Sequence, residues 1–472
     1  MLLKPGRIMD IRSESAMRLQ LNRKVLIVVL CVAILLAVPV LALWQQWGLW
    51  RYTTYGTTNS VAISSEGSYL AVGVQSGAQS GKILLFDKAG ALLWTHDTDR
   101  VIGSVAISAD GSYIAAGGYQ LIGPPGFYEN GILYYLARDG SLLWNYTTGP
   151  SPNSGSLNVP IFGIGLSSDG TKIIANTGYN ILFLNNNGQV QWTHLSSGVI
   201  THTVVSLDGT YVATVDDRAR AFDTQGRSLW NSSIIPPTVQ NIAMSRDGRY
   251  LAVDEEISPN NATMYLYNKT GALLRTQAFN SPPFSITFSA DDSTMVLATG
   301  YSIMSFDTGG RSLWNMTLPS SGGSSVAVTP DGSYVLVGLW GDWGQTILVL
   351  DNHGSIVWGK PVGLVHQVVL SSDGSFGAVA AGPPGGGPFS IGSGSIYFLP
   401  GPKALAKDTG SVYSMLYPGQ NTGLIPPAIL LPAAISATLI GITVIRSRSR
   451  ARRNPLANPG GPETPQQEGT KA

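Results

Sequence analysis

Short apolar runs alternate with polar turns along this chain, and two hairpin patterns recur eight times at intervals of 39 to 59 residues. The first reads Ser-Val-Ala-Ile-Ser-x-(Asp/Glu)-Gly-Ser-Tyr-x-x-Ala. Its turn falls at Glu66-Gly67, Asp110-Gly111, Asp169-Gly170, Asp208-Gly209, Asp247-Gly248, Asp291-Asp292, Asp331-Gly332 and Asp373-Gly374. Asp-Gly between two alternating apolar runs predicts a tight hairpin, because Gly accepts positive φ and Asp tolerates it. The second pattern reads apolar-Phe-Asp-x-x-Gly-x-Leu-Leu-Trp, with glycines at 90, 140, 188, 226, 271, 310, 354 and, more weakly, 401.

Each repeat thus predicts four short strands, a to d, and a fixed four-strand period is the pattern of a β-propeller. Small residues in strand a (Ala62, Ala106, Gly163, Gly165, Ala243, Ala327) suit a crowded axis. A tryptophan follows the second glycine by four residues at Trp94, Trp144, Trp192, Trp230, Trp314 and Trp358, while the fifth copy has Arg275. Such an indole in strand d is read as packing between neighbouring blades. Trp50 precedes Glu66 by the same 16 residues that separate Trp94 from Asp110, so Trp50 to Thr54 is a strand d without a repeat ahead of it. The eighth repeat has strands a to c but no tryptophan after Gly401, and Leu405 stands at that spacing. The expectation is an all-β, eight-bladed ring closed by its N-terminal strand, with a seven-bladed ring and one stranded repeat as the alternative.

The Ser-x-Asp-Gly-x-Tyr-x-Ala element resembles that of WD-repeat propellers, and Asp-x-x-Gly-x-Leu-Leu-Trp resembles the tryptophan-docking repeat of pyrroloquinoline-quinone dehydrogenases. The resemblance covers residues 49–401 and implies fold more than activity. Two departures weigh against a working quinoprotein. The Asp87-to-Gly90 step is one residue shorter than in that family, and its vicinal cysteine pair is absent, since Cys31 is the single cysteine.

Apolar content of 44% over 472 residues supplies a large core, and a net charge of +1 with 12% charged residues argues against a nucleic-acid partner. Residues 25–43 and 424–445 are long enough and apolar enough to be read as transmembrane helices, with basic residues on the far side of each. Val40 and Ala42 also allow a cleaved signal sequence. The resulting plan has a basic cytoplasmic segment (1–24), a first span, an extracytoplasmic propeller (44–401), a linker (402–423), a second span and a disordered cytoplasmic tail (446–472). Sequons at Asn145, Asn231, Asn261, Asn268 and Asn315 all fall in the propeller and fit an outside location at the cell membrane.

The a–b and c–d turns are uniform, whereas the b–c and d–a connections vary in length, with long ones expected at 74–81, 118–131, 148–160, 254–263, 339–345 and 382–394. Variable loops mark the binding face. Its aromatics, Tyr119, Phe127, Tyr128, Trp340, Trp343 and Phe389, suit a protein or glycan partner. Asp216-Asp217 with Arg218, Asp254-Glu255-Glu256 and Asp342 are read as solvated charges, so no metal is expected. His96, His194, His202, His353 and His366 lack metal-ligand spacing, and no nucleophile elbow or phosphate loop occurs. The expectation is a non-catalytic binding or scaffold module without a cofactor. A quinoprotein-like oxidoreductase or a polysaccharide-active enzyme is the alternative.

Overall fold

The computed structural model describes residues 50–407, apart from 78, 122–127, 151–158, 197–199, 201, 235–238, 259, 319–322, 340–345 and 383–393. The chain divides into units 1–415 and 416–472, and the second lies outside the described residues.

Eight four-stranded antiparallel sheets form the first unit. Seven follow chain order, beginning with Thr57–Ile63, Tyr69–Gly77, Ser80–Asp87 and Leu92–Thr98 as blade 1. Blade 8 takes strands a to c from Val365–Leu370, Phe376–Ala381 and Ser395–Pro400, and strand d from Trp50–Thr53. Trp50 pairs with Phe398 and Thr53 with Ser395, so the predicted closure is observed and the seven-bladed alternative is excluded. The Arg51 guanidinium donates to Ser395 Oγ (3.0 Å) and lies 5.8 Å over the Tyr397 ring.

Residue type explains the layering. Strands b and c are apolar runs covered on both faces, as at Leu70, Ala71 and Val72, all fully buried. Strand d alternates, with Trp144 and Tyr146 half-buried against the next blade and Asn145 and Thr147 exposed. In the a–b turns the carboxylate caps its own hairpin: Asp110 Oδ1 accepts from the Ser112 N–H (2.9 Å) and the Ser108 hydroxyl (2.8 Å).

Two hydrogen-bonded belts sew the blades around the axis. On the a–b turn face, backbone N–H groups of Ser372, Ser65, Ala109, Ser168 and Leu207 donate to the carbonyls of Ser65, Ala109, Ser168, Leu207 and Arg246, at 2.8 to 3.2 Å. Deeper in the ring, side-chain oxygens of Gln367, Ser60, Ser104, Ser285 and Ser325 accept from N–H groups of the following blade. An inner strand is an edge in its own sheet, and these bonds satisfy groups that the crowded axis would otherwise leave unpaired.

Two expectations are corrected. Among the described residues no helix is long and apolar enough to cross a membrane. The helix present, α1 (Pro402–Leu405), falls in the expected linker, and its one turn rises about 6 Å where a span needs some 20 residues. The plan with a transmembrane helix at each end is therefore not upheld, and segments 25–43 and 424–445 lie outside the described residues. Several expected loops are also continued strands. Strand b of blade 1 runs to Gly77 and strand c starts at Ser80; strands b and c of blade 5 run to Ser258 and from Asn261. These hairpins project past the sheet because Gln75, Gly81, Glu255 and Thr263 keep the ladder going with polar or small residues.

Closure rests on Trp50, which stacks on Phe398 at 5.5 Å and reaches Phe86 of blade 1 at 5.4 Å. A Cβ on Gly90, whose φ is +85°, would stand 2.2 Å from the Trp50 ring. Trp50→Ala is expected to cost about 3 kcal/mol, and Gly90→Ala more than about 1 kcal/mol. The double variant is expected to lose less than the sum, because removing the indole removes the collision. Denaturant unfolding measures the coupling, and strict additivity would show that the contact does not hold the ring.

Candidate functional site at the seam between blades 5 and 6

Six of the eight seams are closed by one repeated contact. The strand-d tryptophan of one blade lies over the c–d turn glycine of the next: Trp50 on Gly90, Trp94 on Gly140, Trp144 on Gly188, Trp192 on Gly226, Trp230 on Gly271 and Trp314 on Gly354. These glycines have φ between +76° and +86°, so the turn both requires Gly and leaves room for the indole. The indole N–H of Trp94 donates to the Arg138 carbonyl (2.7 Å), and that of Trp144 donates to Asn186 (2.8 Å). Trp358 has no such turn to meet, since blade 8 has no c–d hairpin. It is fully buried in a cluster that includes Leu405 of α1, which substitutes for the missing turn.

The seam between blades 5 and 6 departs from this rule at three heights. At the rim, Arg275 takes the tryptophan position and lays its aliphatic stem over Gly310, whose Cβ would fall 2.5 Å from Arg275 Cδ. One layer along, three other seams are plugged by rings: Tyr52 on Phe86 (4.9 Å), His96 on Tyr134 (5.7 Å) and His194 on Phe222 (4.7 Å). Here Gln277 stands at the strand-d position, and a cleft of about 290 Å³ opens from the following Ala278 across to Met304. At the a–b face the turn is Asp291-Asp292 in place of Asp-Gly, with Asp292 at φ +56°. The Arg246 N–H is drawn to Asp292 Oδ1 (3.0 Å) and leaves the belt, and Pro330 in blade 7 has no N–H to continue it. A hollow of about 470 Å³ at this mouth of the central channel is lined by Ile242, Met244, Ile286, Phe288, Val328 and Leu370.

Asp292 is also an electrostatic oddity. Its side chain is almost wholly buried, against Asp247 of the neighbouring turn, with Arg249 reaching it at 3.5 Å. Burial first, and then the Asp247 carboxyl, push Asp292 up to about 6. Burial would also raise Asp247. The Arg249 N–H, the hydrogen bond from Asp292, the Arg249 guanidinium and Ser245 outweigh it and hold Asp247 down to about 2. The two carboxyls therefore share one proton across the seam in mildly acidic solution.

The expected binding residues distribute unevenly. Tyr119 lies in strand b of blade 2, paired with Val101, and its ring meets Phe162 at 5.9 Å. Tyr128 opens strand c and pairs with Leu121. Phe127, Trp340, Trp343, Phe389 and Asp342 lie outside the described residues. Asp216, Asp254 and Glu255 are not solvated loop charges. Asp216 is buried and accepts from Arg220 (2.9 Å) and Ser196 (3.0 Å), with His194 at 3.5 Å. Asp254 is buried and accepts from the Asn241 N–H (2.6 Å), while Glu255 accepts from the Tyr265 hydroxyl. Of the sequon asparagines, Asn145, Asn231, Asn261 and Asn315 are exposed, whereas Asn268 is engaged by the N–H groups of Thr270 and Ala272. Four exposed aromatics on the b–c/d–a face escaped the sequence reading: Tyr55 (90% exposed), Phe162 (39%), Phe284 (42%) and Tyr301 (52%). They sit at strand entries and a tight turn, whereas the search followed Gly/Pro-rich loops.

Residues 215–383 match the PQQ_2 family model, described as outer membrane protein assembly factor BamB. The match spans the irregular seam and bears out the pyrroloquinoline-quinone-type reading of the repeats. No curated protein matches the chain. Among solved structures, the Dos1 propeller superposes with a TM-score of 0.55 at 12% identity, over 74% of this chain and 94% of that one. Sqt1 from Chaetomium thermophilum gives 0.54 at 14% identity, over 73% and 96%. At such identities the likeness shows the fold alone.

Two substitutions test the seam. Asp292→Gly is expected to raise stability by about 1 kcal/mol at pH 7, because it relieves a non-glycine residue at positive φ. The folded state holds the Asp292 proton more tightly than an ordinary aspartate at 3.8, so wild-type stability falls as pH rises from about 4 to about 6. Thermal melts should therefore show the advantage of Asp292→Gly growing across that window, and a pH-independent difference would contradict the shared proton. Arg275→Trp should restore the regular dock and add about 1 kcal/mol, read by denaturant unfolding.

Proposed function

We propose that this propeller is a non-catalytic module that holds another protein on the face carrying its b–c and d–a connections, outside the cytoplasm. The observation that carries this reading is the asymmetry of the two faces. The a–b turns are tied to each other by the hydrogen-bonded belt and display capped carboxylates, whereas the opposite face presents Tyr55, Phe162, Phe284 and Tyr301 to solvent. Exposed aromatics on a rigid scaffold supply contact area at low entropic cost, the usual anchors of protein interfaces. The match to the BamB family, an assembly factor by its description, supports a binding role over a chemical one. The exposed sequon asparagines on strand d support the location.

A photoreactive phenylalanine analogue placed at Phe284 or Tyr301 in the full chain is expected to crosslink one defined partner in cells. The same probe at Glu66 or Asp169 on the a–b face should not. Equal labelling from both faces, or labelling from the a–b face alone, would refute the assignment.

A further inference from the structure

We propose that the cleft at the rim of the seam between blades 5 and 6 is a binding site for a single neutral sugar residue. The inference goes beyond the protein-binding role, although the cleft lies on the same b–c/d–a face and has Tyr301 at its edge. The cleft lies between the end of strand d in blade 5 (Ala278 to Ser281) and the b–c turn and strand d of blade 6 (Thr299 to Ser302, Asn315 and Thr317), with Met304 at its wall. Its volume of about 290 Å³ lies at the lower end of the small-molecule range, roughly 300–1,000 Å³.

The lining selects the chemistry. None of its residues is charged, which disfavours phosphate, carboxylate or metal ligands. Tyr301 stands 52% exposed at its edge, an aromatic face against which the C–H face of a sugar ring can lie, and Met304 extends that apolar surface inward. Around it stand Asn280, Asn315 and Thr317, whose side chains have no hydrogen-bond partner among the described residues. An amide offers both a donor and an acceptor, the pairing that adjacent hydroxyls on a sugar require. The cleft floor is held rigid. Ser281 Oγ accepts from the Gly300 N–H (3.2 Å), Thr299 Oγ1 accepts from the Ser302 N–H (3.0 Å), and the Tyr301 carbonyl accepts from the Leu318 N–H (2.7 Å). An apolar plate with convergent neutral donors and acceptors on a fixed frame matches a sugar better than a peptide, which would need an open groove.

The sugar has two sources, because Asn315 is both a lining residue and a sequon. It can belong to a separate glycan or be the first residue carried by Asn315 itself. The test uses the full chain made without glycosylation and saturation-transfer NMR with N-acetylglucosamine, glucose, galactose and mannose. At least one is expected to bind, with a loss of tenfold or more in Tyr301→Ala and in Asn280→Ala, and little change in Tyr301→Phe or in Glu66→Ala on the a–b face. Binding by none of the four sugars, or binding unaffected by both alanine variants, would overturn the proposal. A chain made in a glycosylating host separates the sources. Loss of free-sugar binding that returns in Asn315→Gln identifies the attached sugar as the occupant, whereas undiminished binding identifies a separate glycan.

Discussion

The structure depends on an indole lying flat over a glycine of the next blade. That contact recurs around the ring, and it works because the c–d turn needs positive φ, which only Gly adopts without cost. One backbone requirement thus creates the bare surface that the neighbouring blade covers. Without a disulfide available to the propeller, this repeated dock and the two belts of hydrogen bonds carry the work of keeping eight sheets in register. The most consequential instance is Trp50, which joins the first described strand to the last blade and packs onto the first at once.

Against that regularity, the seam between blades 5 and 6 stands out as a coordinated relaxation. The rim indole becomes an arginine, Gln277 stands where three other seams carry a ring, and the turn glycine becomes Asp292. The same seam carries a cleft at one end and a broken belt at the other. Departures from a repeat that cost stability are the positions where a fold most often carries function.

Much of this was legible in the chain. The Asp-Gly and Gly-to-Trp spacings fixed the strand number, and the stray Trp50 segment gave the closure, because hairpin chemistry and strand alternation are local. Arg275 and Asp292 were visible as breaks in the repeats, although their meeting at one seam needed the ring geometry to bring positions 275, 292 and 304 together. The b–c hairpins were misread as loops because polar residues such as Gln75 and Glu255 can continue a ladder that has water on one side. Buried acids were misread as solvated because they were placed in loops, whereas Asp216 takes Arg220 across a tight b–c turn with Ser196 of the preceding blade, and Asp254 takes Asn241 across its a–b hairpin. The membrane reading rested on hydropathy, flanking charge and sequons, and no described helix upholds it.

Pairing Trp50 with Phe398 also sets a clock on biogenesis. A ribosome adding roughly 5–20 residues per second takes about 20–70 s to make the intervening chain. Throughout that interval the leading segment is a lone β-strand with a tryptophan and an arginine and no sheet to join. The seven complete blades can form in order as they emerge, but the circle closes only once the strand ending at Pro400 has been made. A cell that makes this protein must shelter that early edge until its distant partner arrives.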